Sequence, residues 1–407
     1  VLGGGVSVQT QYRTDYNAPE LPDVKVTWGG SVYALFTDKW GNLRADTNKN
    51  GRLNLATSPP KPENVDGKTW EYFKPNTPQP PDYELGDLIV HQVPPANEGS
   101  TSLSTVYLCR DVYGDNNGGN FLPSGRGEYP GTVTYPPYAD CQEVSAGLDS
   151  IKPLWNAAQK ISDMNVDQRR LYTYYETDGA GGLKDVPSGG VEIDDYPFES
   201  AEVANATHLL HTLMSQDSVA ETKNLIEYIR GTDFPNKYRN RTVRLPWDPS
   251  GTTAKVWRMG DVINSRPVIV GEPASNFHLT YGDTSYEKYR AKKAQRRQVA
   301  YFGSNDGILH AVNLGFFGAL IKGQAGYFVD PQDGSPTPSP NYELGEEIGG
   351  VLPPSVLPHL QWVANAAYQH SYYMDLKPYI VDIKDNSNSS LAEEDKWRTV
   401  MIVGLRL

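Results

Sequence analysis

The chain has 407 residues, room for two or three domains, and a formal net charge of −12, which argues against nucleic acid as the main partner because phosphate binding needs a basic face. Hydrophobic residues make up only 38%, while Gly (38), Pro (31) and Tyr (26) are abundant, so the composition is that of a turn-rich β protein with little room for long helices. No apolar run reaches the roughly 18 residues a membrane-spanning helix needs, and the opening VLGGG, without Met or signal peptide, reads as a processed or partial product.

From Val6 to Val26 the chain is polar and extended. Lys25 to Phe36 reads as a strand, a Gly-Gly break and a second strand. Asp46, Asn48 and Asn50 then alternate before Gly51, followed by Arg52, which would offer its carbonyl, and Asn54. These match the first nine positions of an EF-hand-type loop. Position 12 is Thr57 where a bidentate Glu belongs, and one carboxylate with two amides is little charge for Ca²⁺. Two readings stand: a weak calcium loop, or a hairpin turn rich in Asn and Gly.

Residues 56–99 are Pro-rich, with strands expected near Trp70–Phe73 and Leu85–Val93. The only two cysteines, Cys109 and Cys141, bracket a segment rich in Gly, Asn, Pro and Tyr. A disulfide would close this core-poor loop and stabilise the fold by roughly 3–4 kcal/mol. The alternative is two unrelated buried thiols; without CxxC spacing, a metal site is not indicated. Asp111, Asp115, Asn116 and Asn117 read as a flexible Gly/Asn loop before they read as a calcium loop.

Helical periodicity begins at Ile151, Leu154, Trp155, Ala158 and Ile161. A second helix is expected over Ser200–Ser215, with His208 and His211 one turn apart on an ordinary helix face. A third runs from Val219 to Arg230 and stops at Gly231. In Lys255–Gly271, Asp261 and Ser265 can tie a turn, and Pro267 can start an edge strand. Glu287–Arg297 holds six basic residues and one acid, either a solvated helix or a docking surface for an acidic partner.

Gln298–Asn313 (QVAYFGSNDGILHAVN) is a β-hairpin: Val299, Tyr301 and Phe302 on the first strand, a Gly-Ser-Asn-Asp-Gly turn, and Ile308, His310 and Val312 on one face of the return. A Pro/Ser/Gly insertion covers 330–345. His370–Lys384 reads as strand, turn at Asp375, strand, and Trp397–Leu407 as one more strand.

This hairpin resembles the blade motif of quinoprotein-type propellers. In the form carrying Asn305, Asp306, Gly307 and His310 it resembles the PilY/PilC family of type IV pilus tip adhesins and biogenesis factors. Trp257, Gly260, Asp261, Ser265, Pro267, Val268, Val270 and Gly271 fit that family's entry to the first blade, and LWNAAQKISDMNVDQRRLYTYYE and NLIEYIRG are similar to its helical part. The likeness is strongest from Lys255 onward, recognisable in 28–54 and 151–245, and absent over about 56–150.

The resemblance implies a mainly β fold: an incomplete quinoprotein-like β-propeller over 236–407, preceded by a β-rich segment (1–150) and a small helical segment (151–235). It implies a pilus-tip adhesin and assembly factor, extracellular and without catalysis. The partners it implies are minor pilins or other tip proteins and a host or abiotic surface. The family's von Willebrand factor A-like domain, later blades and blade calcium loop have no counterpart, so calcium control by that loop does not carry over. A quinoprotein oxidoreductase is the competing class, but its adjacent cysteines are missing, as are GxSxG, HExxH and P-loop motifs. A structural protein of another extracellular filament is a third reading. Two blades leave an open edge, so the strand near Val400–Leu405, with Met401, Ile402 and Val403, is expected either to continue into further sequence or to pair with a neighbour.

Overall fold

The computed structural model describes residues 5–13, 16–17, 25–26, 28–37, 43–45, 89–93, 105–109, 141–143, 153–175, 194–244, 254–294, 296–318, 327–329 and 342–406. The chain divides into two compact units: residues 1–8, 34–155 and 317–329, and residues 9–33, 156–316 and 330–407.

Short antiparallel strands build the first unit. β1 (Gly29–Thr37), whose second half belongs here, pairs with β2 (Leu43–Arg44), and the ladder continues through β3 (Ile89–Val93) and β4 (Thr105–Cys109) to β5 (Cys141–Glu143). Leu35, Phe36, Ala45 and Val90 are buried.

In the second unit, the helices owe their ends to local side chains. Asn156 caps α1 (Ala157–Asp163), accepting from the N–H of Gln159 at 3.2 Å. The longest helix, α3 (Val219–Arg230), starts at Ser218, whose hydroxyl accepts from the N–H of Glu221, and stops at Gly231 with φ +129°. Its buried face carries Leu225, Ile226 and Ile229, which pack in one cluster with Leu357 and Leu360. At about 1.5–3 kcal/mol per fully buried large side chain, this is where the unit's hydrophobic stabilisation concentrates.

The helix expected over Ser200–Ser215 is two pieces: a 3-10 turn at Ser200–Glu202 and α2 (Leu209–Met214). Asn205 and His208 interrupt it. The Asn205 carbonyl oxygen accepts from the N–H of Thr207, and His208 Nδ1 accepts from the N–H of Leu210 as the cap of α2. Two further helices follow, α4 (Phe277–Thr280) and α5 (Thr284–Lys293), the latter opened by Asp283.

One sheet runs through this unit. Its order is β7 (Asp194–Pro197), β6 (Leu171–Tyr175), β11 (Glu347–Val351), β10 (Leu309–Gly318), β9 (Gln298–Gly303) and β8 (Val268–Val270). All pairings in it are antiparallel except β6 with β11. A separate hairpin, β12 (Tyr379–Lys384) with β13 (Trp397–Ile402), packs under α5 around Tyr286, Tyr289 and Trp397. Among the described residues no sheet closes on itself.

Two strand expectations need correction. Gly29 and Gly30 open β1 rather than breaking a strand, and the chain turns before them at Trp28 (φ +58°). The reason is close approach: a Cβ on Gly30 would lie 2.0 Å from the carbonyl oxygen of Gly260. The stretch His370–Leu376 is not a strand; its backbone is taken by side chains and by a distant segment, as described below.

Candidate functional site

The four motif residues Asn305, Asp306, Gly307 and His310 come together in the β9–β10 turn and are buried there. Ser304 and Ile308 exchange a backbone hydrogen bond of 3.0 Å, and the Asp306 carboxylate accepts the N–H of Ile308 at 3.1 Å. Gly307 sits at φ +90°, and a Cβ there would lie 2.6 Å from Val356 Cγ1, so both conformation and space demand glycine.

Beneath the turn lies a chain of buried charges. His310 Nδ1 donates to Glu347 Oε1 at 2.6 Å, and Nε2 lies 2.8 Å from the Ser304 hydroxyl, which in turn donates to Asp306. Glu347 meets the Arg169 guanidinium in a fork, with Nε to Oε2 at 2.6 Å and Nη2 to Oε1 at 3.1 Å, both side chains fully buried. The β10–β11 pairing shifts register between Ala311 and Val312, with Ile348 the extra residue on β11, which places Glu347 opposite Val312 and within reach of His310.

The charge states follow from these partners. Burial works against the His310 cation, but Asp306 and Glu347 outweigh it and raise the pKa, so both ring nitrogens donate. Burial pushes the Glu347 carboxyl up, yet Arg169 and His310 overcome it and hold it well below the usual carboxylate range. Asp306 is likewise pushed up by burial and brought below its ordinary value by His310, Ser304 and the N–H of Gly260.

A second set of contacts clasps the turn from outside. The Asn305 amide donates to Asp261 Oδ2 at 2.6 Å, and its carbonyl oxygen accepts the N–H of Tyr373 at 3.0 Å. His370 Nε2 lies 3.0 Å from the same Asp261 oxygen. The Ser265 hydroxyl accepts the N–H of Gly303 at 2.7 Å. Asp375 accepts from both the backbone and the amide of Asn264, and Arg406 N–H donates to the Tyr373 carbonyl at 2.9 Å. These bonds hold His370–Asp375 out of any ladder.

Arg169 also reaches the end of α3. Its Nη1 donates to the carbonyls of Ile229 and Arg230, Arg241 Nη2 to that of Tyr228 at 2.5 Å, and Arg258 Nε to that of Gly231 at 3.3 Å. Three guanidinium groups thus satisfy the orphan carbonyls of one helix end and complement its negative pole. Burial first, and then Arg169 and Arg241, push the Arg258 pKa down to about 10.

The chemistry of this arrangement is cohesive. His310, Glu347 and Arg169 have side chains with no solvent exposure, and each polar atom faces another inside the fold. Sequence reasoning found the turn and Asp261 but missed Glu347, Arg169 as its counter-ion, and His370. The one available signal was an acidic residue at the start of the Gly-rich strand Glu347–Val351.

Of the remaining expected site residues, Cys109 and Cys141 are register partners on β4 and β5. Asp46, Asn48, Asn50, Arg52 and Asn54 lie outside the described residues, as do Trp70–Phe73 and Asp111–Asn117. His211 Nδ1 is 2.7 Å from the Thr222 hydroxyl. Among the described residues, no helix is long and apolar enough to cross a membrane.

A β-rich chain with a hairpin locked by internal charges is a cohesive module. No family model matches the chain, and no solved structure matches it significantly. It is similar to the type IV pilus biogenesis factor PilY1 homolog of Xylella fastidiosa, with 28% identity over 147 residues, 35% of this chain and 9% of that protein. It is also similar to the type IV pilus biogenesis factor PilY1 of Pseudomonas aeruginosa, with 24% identity over 228 residues, 53% of this chain and 15% of that protein. The chain is therefore PilY1-like, as its motifs implied, and spans well under a fifth of these relatives' length.

Proposed function

We propose that this chain serves type IV pili as a non-catalytic tip-associated adhesin and assembly factor, with minor pilins or other tip proteins and a host or abiotic surface as partners. The observation that carries the reading is the similarity to two proteins named as PilY1 pilus biogenesis factors. The locked hairpin supports it, because a load-facing surface module gains from charges that hold strands together rather than from groups that face a solute. In this reading the hairpin sheet and the β12–β13 pair are the first blades of a propeller. The Asp46–Asn54 loop is proposed as a weak calcium site, in the range of about 10⁻⁴–10⁻³ M. Calorimetric titration checks the loop: heat that survives Asp46→Ala unchanged removes it as a ligand set.

The reading is tested by deleting the gene in its own host and counting surface pili, twitching and adherence. Loss of pili restored by the intact gene supports an assembly role, and normal pili with lost adherence supports the adhesin alone. Unchanged piliation and adherence overturn both.

A further inference from the structure

The base-rich helix α5 does not stand free in solvent. Tyr286 donates to Asp382 at 2.6 Å, the hydroxyls of Tyr289 and Thr399 lie 2.8 Å apart, and Trp397 Nε1 donates to Ser285 at 2.9 Å, so the aromatic side of α5 is seated on the β12–β13 pair. Two of its cations serve the fold directly. Arg290 donates to the Pro273 carbonyl and to Glu272, and Lys292 lies 2.8 Å from Asp395 and 3.7 Å from Glu394. Beyond them, the last turn of α5, Arg296 and the residues that open β13 meet around a cleft of about 410 Å³.

Four cations line the cleft (Lys292, Lys293, Arg296 and Arg398) against two carboxylates, Glu394 and Asp395, and Lys292 holds both acids. The other three are differently placed. Lys293 is exposed, and its ammonium has no partner among the described residues. Arg296 donates through Nε to the Gly271 carbonyl at 2.6 Å and through Nη1 to the Thr399 hydroxyl at 3.0 Å. Arg398 donates through Nη1 to the main-chain carbonyls of Asp395 and Trp397. Neutral acceptors fix a guanidinium without cancelling its charge, and Nη2 of both arginines stays uncommitted among the described residues. No carboxylate lies within ion-pair distance of Lys293, Arg296 or Arg398 among those residues. The negative pole of α5 offsets about half a charge, which leaves the cleft with an excess of roughly one and a half positive charges on a chain of net charge −12.

We propose that this cleft binds a phosphate group, free or as the monoester of a sugar-sized molecule, with its terminal oxygens taken by Lys293, Arg296 and Arg398. A phosphomonoester carries a charge of about −1.5 to −2 at pH 7 and three strong acceptor oxygens, which matches both the excess charge and the number of uncommitted cationic groups. A lone carboxylate or a sulfate ester brings one charge and leaves the cleft positive. The two guanidinium groups are held in place before any ligand arrives, so little side-chain freedom is lost on binding. The volume is that of a small-molecule site, in the range of roughly 300–1,000 Å³, and larger than a bare phosphate fills. The hydroxyl-bearing side chains of Tyr289 and Thr399 line the same cleft and suit a sugar. The chain's overall negative charge disfavours the same anion elsewhere on its surface.

The test is titration calorimetry at two temperatures on the 407-residue chain, with glucose-6-phosphate, inorganic phosphate and glucose-6-sulfate as probes. The expected result is binding of glucose-6-phosphate about fivefold or more tighter than of the sulfate ester. Lys293→Gln and Arg398→Gln should each weaken it about fivefold, while Lys288→Gln, on an exposed position of the same helix outside the cleft, leaves it unchanged. Lys293 and Arg398 are exposed, so both variants should keep the wild-type urea midpoint. Inorganic phosphate binding as tightly as the sugar ester assigns the site to the free ion, and tighter binding of the ester assigns it to a phosphorylated small molecule; either supports the proposal. Absence of binding by both phosphates at millimolar concentration overturns it. So does equal binding of the sulfate ester, or phosphate binding that Lys293→Gln and Arg398→Gln leave unchanged. A loss with Lys288→Gln as large as with Lys293→Gln shows general surface attraction and also overturns it.

Discussion

Replacing Glu347 by Gln tests the central claim about the hairpin. The substitution keeps the volume and removes one charge. Arg169, with no exposed side-chain surface, is then left without its fork partner at 2.6 and 3.1 Å, and His310 without the carboxylate that favours its charged form. Removing one member of a buried ion pair costs about 3–5 kcal/mol because the survivor stays desolvated and uncompensated. A domain's whole stability is about 5–15 kcal/mol, so the loss is a large fraction. The double variant Arg169→Met, Glu347→Leu removes both charges; it forfeits the bonds to Ile229 and Arg230 and the acceptor for His310 Nδ1, but leaves no buried guanidinium without its carboxylate, and should lose less than the two single changes summed. The assay is urea unfolding read by hydrogen exchange on β10 and β11, which isolates this unit from the other. A loss under about 1 kcal/mol for Glu347→Gln, or a double variant as costly as the two single changes summed, refutes the reasoning.

The same network predicts a pH profile. Glu347 and Asp306 have lowered folded pKa values, so their contribution is complete above the ordinary carboxylate value of about 4 and is lost as pH falls through the folded values. His310 has a raised folded pKa, so its contribution is complete below about 6.5 and is lost as pH rises through the folded value. Wild type should thus lose stability relative to His310→Gln on the alkaline side, and parallel urea midpoints for the two from about pH 6 to 9 contradict a charged His310. Gly307→Ala should cost about 1–3 kcal/mol from strain at φ +90° and the clash with Val356, and an unshifted thermal midpoint argues against it. Cys109 and Cys141, paired in register, should form a disulfide worth about 2–4 kcal/mol, and two titratable thiols in native protein rule it out.

What the sequence made legible was what local chemistry decides. The hairpin turn could be read because Ser304–Gly307 contains its own turn residues. The bounds of α3 could be read because Ser218, Glu221 and Gly231 lie within or beside it. The misreadings share one cause, a partner far along the chain. Gly29-Gly30 looked like a break because the backbone it approaches is at Gly260. The aromatic run His370–Tyr373 looked like a strand because nothing nearby shows that Asn305 takes the Tyr373 N–H. Glu347 showed only as an acid opening a Gly-rich strand, since its counter-ion stands 178 positions earlier. The split of Ser200–Ser215 is the exception: Asn205 and His208 are local caps that helical spacing overshadowed.

The arginine-capped end of α3 also sets an order of events. A chain leaves the ribosome N-terminus first, and its early segments can begin to fold before the later ones exist. Arg169 emerges before the helix it caps, Arg241 comes 13 positions after the Tyr228 carbonyl it serves, and Arg258 comes 27 after Gly231. Glu347, the carboxylate bonded to Arg169, arrives last of all. Until then Arg169 is better kept in water than in the core, and the helix end stays uncapped on that side. A nascent chain stopped between β10 and β11 would hold a hairpin clasped by Asp261 and Ser265 but without the carboxylate that joins His310 to Arg169.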